Sequence, residues 1–174
     1  MRILLLILML GFYAFADSIT LPDNFKADFT QKITNTKKKV IKYNGKVYFS
    51  AKKLQKWKFL KPTKKEVCTT YKELIVVDHD LEQASYFRLD KGFNLSKILN
   101  KAKLYKKNIY LATYLDITYT IQVDEKGKLH SFAFFDALDN KVQIVFKNVK
   151  YGKGKLSKKI MSCPVPKDYD VIRG

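Results

Sequence analysis

Every other residue from Ile117 to Val123 is apolar: Ile117, Tyr119, Ile121 and Val123 alternate with Thr118, Thr120 and Gln122. Alternation of period two gives a strand one wet face and one face that must be hidden. The pattern recurs in short segments separated by turn chemistry. Asp124-Glu125-Lys126-Gly127 leads into a predicted strand at Leu129–Phe135, and Asp139-Asn140 leads into another at 142–146. Upstream, Asn44-Gly45 reads as a turn before a strand at 46–50. A strand at 56–60 is closed by Pro62, and strands at 66–70, 74–77 and 85–89 continue the series. So many consecutive one-sided strands pair as an antiparallel meander, which has to curl or close over its apolar face. A mainly β fold is expected, not a helical or α/β one.

One segment departs from this period. Leu95, Ile98, Leu99 and Ala102 recur at helical spacing behind Asn94, a residue suited to capping a helix N-terminus, so a short amphipathic helix is predicted at 95–102. A helix of about two turns is marginal in water and persists only when its apolar stripe docks on something. It is then either a lid or a plug in one end of a barrel.

The apolar residues of the strands include Phe29, Val47, Phe49, Trp57, Phe59, Val67, Phe87, Leu89, Tyr119, Ile121, Phe132, Phe134, Ile144 and Phe146. If the sheet curls, these residues line its inside. In a small barrel they fill the core. In a larger, incompletely closed barrel they enclose an apolar cavity fit for acyl chains.

The other features restrict the function further. Arg2, the apolar run 3–15 and Ala14-Phe15-Ala16 form a signal peptide with a cleavage site before Asp17. The apolar run is short for a transmembrane helix, which needs about 20 residues. No cysteine stands at position 17 to take a lipid, so a soluble mature chain, 17–174, folded as one domain, is expected in an extracytoplasmic space. The chain is basic, with 34 Lys and Arg against 16 Asp and Glu, yet only Arg2, Arg88 and Arg173 are arginines. Nucleic acid is therefore a poor partner, because the bidentate guanidinium fork is scarce. The charge reads as a solvated lysine surface with weak attraction for lipid phosphates. Cys68 and Cys163 are an even pair in an oxidising compartment, which permits one disulfide if the fold brings their Cα atoms together. No metal site is expected from two isolated cysteines. Asp78-His79-Asp80 reads as turn chemistry and His130 as a strand histidine without triad neighbours, so neither a catalytic residue nor a cofactor is expected.

Phe25-x-x-x-Phe29-Thr30-Gln31-Lys32, Gly45-x-Val47-x-Phe49, Trp57-x-Phe59-x-x-Pro62, Asp80-Leu81-Glu82-Gln83-Ala84 and Pro164-x-Pro166 stand in this order. Their order and spacing resemble the LolA family, periplasmic carriers of outer-membrane lipoproteins. The resemblance implies an unclosed antiparallel barrel of about eleven strands with a helical lid, here Phe93, Leu95, Ile98 and Leu99, over a hydrophobic cavity. It implies a monomer that takes triacylated lipoproteins from an inner-membrane lipoprotein-releasing ABC exporter to the outer membrane, where a receptor can accept them. The chain departs from the family pattern at three points. Ala51-Lys52 stands where the family has Arg-Pro, Gln55 replaces an aromatic two residues before the tryptophan, and few residues precede the first strand. The alternatives are a periplasmic carrier of another acylated lipid, phospholipid or glycolipid, and a basic surface-binding module. N-terminal sequencing of the exported protein is expected to begin at Asp17; a retained Met1 would refute the cleavage assignment.

Overall fold

The computed structural model describes residues 19, 21–50, 54–70, 72–88 and 94–174. The signal segment with its cleavage site, Ala51-Lys52, Leu89 and Phe93 lie outside the described residues.

In chain order the strands are β1 (Asn24–Thr34), β2 (Val40–Ser50), β3 (Leu54–Lys61), β4 (Lys65–Thr69), β5 (Glu73–Asp78) and β6 (Gln83–Arg88). After helix α1 (Leu95–Asn100) come β7 (Lys103–Lys106), β8 (Ile109–Tyr114), β9 (Ile117–Val123), β10 (Leu129–Phe135) and β11 (Lys141–Gly152). Helix α2 (Lys158–Met161) and β12 (Asp170–Arg173) complete the chain. All the strands belong to one sheet of order β12-β6-β5-β4-β3-β2-β1-β11-β10-β9-β8-β7. The sheet is an unclosed barrel, with β7 and β12 as its two edges. Two meanders meet where β1 pairs antiparallel with both β2 and β11.

The predicted strands are present, and most run longer than their apolar cores. The one correction among the turns is Asn44-Gly45, which lies inside β2. Gly45 is opposite Phe29, and a Cβ there would lie 2.8 Å from the Phe29 ring and collide with the Lys58 carbonyl oxygen. This glycine marks a close cross-strand approach, not a reversal of the chain. The other predicted turns hold: Asp124 Oδ1 accepts from the amides of Lys126 and Lys128, and Gly127 takes φ +71°. Asp136 Oδ1 accepts from Leu138 and Asn140, with Asp139 at φ +58°. Burial pushes the Asp136 carboxyl upward, but these bonds and the one from the Asn140 side chain outweigh it and hold the group below its ordinary value.

β12 is also a departure from an all-antiparallel barrel of eleven strands. It joins β6 in parallel as a twelfth strand, reached by a segment that crosses the convex face of the sheet. That segment is held by the Cys68–Cys163 disulfide, whose Cα atoms lie 6.0 Å apart and which closes a loop of 95 residues. Beneath it the convex face is dry. Cys68, Val77 and Ala84 are buried there, and Met161 of α2 is buried with them. Lys56, paired with Cys68 across the β3–β4 ladder, is buried too. Its ammonium lies 3.0 Å from Glu66 Oε2 and donates to the Ser162 carbonyl at 2.6 Å. Both side chains of the pair are less than a tenth exposed.

A buried pair of this kind is expensive to break on one side, because the remaining charge keeps its desolvation cost; without Lys56, Glu66 would keep only the half-exposed Lys58, whose ammonium lies 3.5 Å from its Oε1. Lys56→Met is expected to lower unfolding free energy by at most about 3–5 kcal/mol in denaturant titration, since Lys58 still faces Glu66, and adding Glu66→Leu to recover most of it. Equal loss in the single and double variants would show that packing, not the ion pair, matters at this position.

Candidate functional site

The concave face of the sheet carries the main core. Phe25, Ala27 and Phe29 of β1, Val47 and Phe49 of β2, Tyr119 and Ile121 of β9, Phe132 of β10 and Ile144 and Phe146 of β11 are all buried in one cluster. Alternation along each strand puts these residues on the same side. Aromatic contacts connect them: Phe25 stacks on Phe49 at 5.4 Å between ring centroids and meets Phe146 edge-on at 6.3 Å, and Phe132 meets Phe146 edge-on at 6.1 Å.

Toward the end of the sheet that holds the β1–β2, β3–β4 and β8–β9 turns, the packing opens into an apolar cavity of about 360 Å³. Its walls come from both halves of the sheet: Gln31, Trp57, Phe59 and Val67 on one side, Tyr114, Leu115, Ile117, Tyr119, Phe134 and Ile144 on the other. Phe29 packs behind this wall, with its ring 5.0 Å from Trp57 and 5.1 Å from Phe59. Trp57 donates its indole N–H to Gln55 Oε1 at 3.4 Å. Gln55 is therefore turned inward, 3% exposed, and serves as the polar partner of the tryptophan. Burial raises the Tyr119 phenol above its ordinary value, and neighbouring Tyr114 adds to the shift. The lining holds no fixed charge and little polarity, so it can shelter a flexible hydrocarbon but is not arranged to polarise a reacting bond.

Of the residues expected to line a cavity, Trp57, Phe59, Val67, Tyr119, Phe134 and Ile144 do so. Phe29, Val47, Phe49, Ile121, Phe132 and Phe146 are buried in the packed cluster behind them. Phe87 is placed differently: it is 43% exposed and lies near Gly174 beside the β12 edge, since β6 is beyond the strands that curl around the cavity. Gln31, Tyr114, Leu115 and Ile117 escape the sequence reading. Ile117 shares the alternation of Tyr119 and was legible. Gln31 is polar, and the tight β8–β9 turn is made by Leu115 and Asp116, both at positive φ, without the glycine or asparagine that usually announces such a turn.

The predicted helix is α1, capped as expected by Asn94 Oδ1, which accepts from the Lys97 amide at 3.0 Å. It ends at Asn100, two residues before the predicted limit. It belongs to the connection from β6 to β7, which links the two sides of the open sheet. Leu95, Ile98 and Leu99 are buried in the concave cluster, and the helix packs on β8. The stripe thus fills interior space that adjoins the cavity and does not itself line the 360 Å³ void.

Comparison with known proteins places these features in context. Residues 22–110 match the family described as "Outer membrane lipoprotein carrier protein LolA". An outer-membrane lipoprotein carrier protein of Wolinella succinogenes is 35% identical over 150 residues, 86% of this chain and 87% of the relative. The protein of the same name from Campylobacter jejuni is 31% identical over 151 residues, 87% of each chain. Among solved structures, an uncharacterized conserved protein from Thermus thermophilus shares the fold with a TM-score of 0.57 at 15% identity, covering 88% of this chain and 92% of its own.

Trp57 is the chain's single tryptophan and sits in the cavity wall. Its emission is expected to shift to shorter wavelength when an acylated peptide is added and to ignore the same peptide without its acyl chain. An equal response to both peptides would remove Trp57 from the binding surface.

Proposed function

We propose that this chain, which belongs to the LolA family of outer membrane lipoprotein carriers, holds lipoprotein acyl chains in the cavity between β1, β3–β4 and β8–β11 and carries them through the periplasm to the outer membrane. The observation that carries this reading is an uncharged, aromatic-walled cavity inside an unclosed barrel, in a chain whose relatives are named as lipoprotein carriers. Each methylene removed from water contributes about 0.8 kcal/mol, so even partial cover of a long chain offsets a large exposure cost. A non-directional grip also suits release, because no hydrogen bond or ion pair to the chain has to be broken.

The volume bears on how cargo is held. Ligand sites span roughly 300–1,000 Å³, and about 360 Å³ lies near the lower limit. Triacylated lipoproteins need more room than that, and in this reading α1 yields it. The helix is only six residues long, held by the burial of Leu95, Ile98 and Leu99. Such an element belongs to the least stable part of a structure, and acyl chains can take over the apolar contacts it vacates. In this reading Phe93, Leu95, Ile98 and Leu99 act as a displaceable plug that enlarges the cavity on loading. Cargo arrives from an inner-membrane lipoprotein-releasing ABC exporter, and an outer-membrane receptor or the membrane itself takes it up. The carrier works as a monomer after cleavage behind Ala16. Phospholipid or glycolipid could enter the same walls, and lipid co-purified from the envelope distinguishes these cargoes by mass.

Ile98→Asp tests the displaceable helix, since a carboxylate in that cluster costs several kcal/mol unless the helix lifts away. The expected protein is folded by circular dichroism, binds more of a hydrophobic dye and fails to deliver lipoproteins to the outer membrane. Wild-type dye binding together with full delivery would make the helix inert packing.

A further inference from the structure

The turns β1–β2, β3–β4, β8–β9 and β10–β11 lie at one rim of the barrel, because each joins strands whose paired ends meet there. The cavity is lined at this rim by Tyr114, Leu115 and Ile117. Large apolar side chains stand exposed around the same rim: Val40 and Ile41 (45% and 50%), Leu60 (43%), Leu115 (45%), Phe135 (60%) and Leu138 (77%). Leu115 holds φ +50°, a backbone conformation that bulky residues adopt at a cost. Ile41 pairs with Ile33 on the concave face, so the apolar surface of the interior runs out to the rim without interruption.

Charge marks the same place. The segments 35–42 and 61–65 carry Lys37, Lys38, Lys39, Lys42, Lys61, Lys64 and Lys65 and no acidic residue. The acidic residues of the rim belong to other turns: Asp78, Asp80 and Glu82 at β5–β6, where Asp80 accepts from the Lys64 amide at 2.9 Å and Asp78 is opposite Lys65, Asp116 at β8–β9, and Asp136 and Asp139 at β10–β11, where Asp136 is occupied in capping its own turn; the β1–β2 turn is the one with lysines and no acidic neighbour of this kind. Lysines interleaved with exposed aliphatic side chains match the surface of an anionic bilayer, where the ammonium groups meet lipid phosphates and the aliphatic groups reach the acyl boundary.

We propose that this rim docks the carrier directly on an anionic lipid bilayer, through the β1–β2 and β3–β4 turns, with the cavity facing the membrane. Docking in this orientation lets an acyl chain pass between bilayer and cavity with little exposure to water. The use of the surface rests on the carrier reading; the binding itself does not. An acidic protein face would also attract the lysines, but it gives no role to the exposed apolar side chains around the mouth of the cavity, of which Leu115 lines it.

The test uses the cargo-free mature protein and sedimentation with phosphatidylglycerol-containing vesicles, with pure phosphatidylcholine vesicles for comparison. Binding is expected to the anionic vesicles and to fall as salt is raised. Each lysine near such a surface is worth about a fivefold factor in partitioning, so Lys37→Gln/Lys38→Gln/Lys39→Gln is expected to reduce binding at least about tenfold. Lys103→Gln/Lys106→Gln/Lys107→Gln removes the same charge at the β7 edge and the opposite rim, and is expected to change binding less than about twofold. Val40→Ser/Leu138→Ser is expected to weaken the binding that survives in high salt. Equal losses in the two lysine triples would overturn the proposal in favour of overall charge. Absence of vesicle binding in a protein that still binds acylated peptide would overturn docking and leave the carrier reading intact. Vesicle binding without acylated-peptide binding would support docking and overturn the carrier reading.

Discussion

The pairing of β1 on both of its sides organises the molecule. A meander can hide one face only if its two halves are brought over each other, and β1 does this by hydrogen bonding to β2 on one side and to β11, over a hundred positions later, on the other. Phe25 and Phe29 project from this strand into the concavity, and their rings meet Phe49, Phe146, Trp57 and Phe59 from both halves. The ladder sets the curl and the aromatic residues fill it. Gly45 permits this, because the Phe29 ring and the Lys58 carbonyl occupy the space a side chain would need.

An unclosed sheet leaves its edges to be managed, and the chain does so in two ways. From β6 to β7 it passes through α1, which spends its apolar stripe inside the concave cluster. After β11 it crosses the convex face, is held there by the Cys68–Cys163 disulfide and by the bond from the buried Lys56 ammonium to the Ser162 carbonyl, and pairs with β6 as β12. The two coverings differ physically. The convex one is cross-linked and carries a buried ion pair that specifies one arrangement. The concave one is six residues of helix held by apolar contact, which is non-directional and can be exchanged for other apolar contact. The proposed carrier role uses this difference: it takes the helix as the exchangeable filling and the cross-linked face as the fixed one.

The sequence by itself determined the kind of structure. Period-two alternation along 117–123 and its repeats predicts one buried face of a curled sheet, and Asn94 followed by Leu95, Ile98 and Leu99 predicts a short docked helix. Alternation also fixed which side chains point inward, Trp57, Phe59, Val67, Tyr119, Phe134 and Ile144 among them, and left open whether they fill a core or line a cavity. Tertiary structure alone decided how far inward each one goes. Phe49 and Phe132 obey the same alternation as Trp57 but are sealed in the packed end, and Phe87 obeys it yet stays exposed, because depth depends on where the two halves of the sheet meet and not on strand period. Gln55 and Lys56 are polar residues that any local rule assigns to solvent. They are buried because Trp57, two residues along β3, and Glu66, brought near by the β3–β4 ladder, supply their partners. The disulfide was permitted by composition and decided by the crossing of the C-terminal segment, since only the fold sets the distance between two residues so remote in the chain.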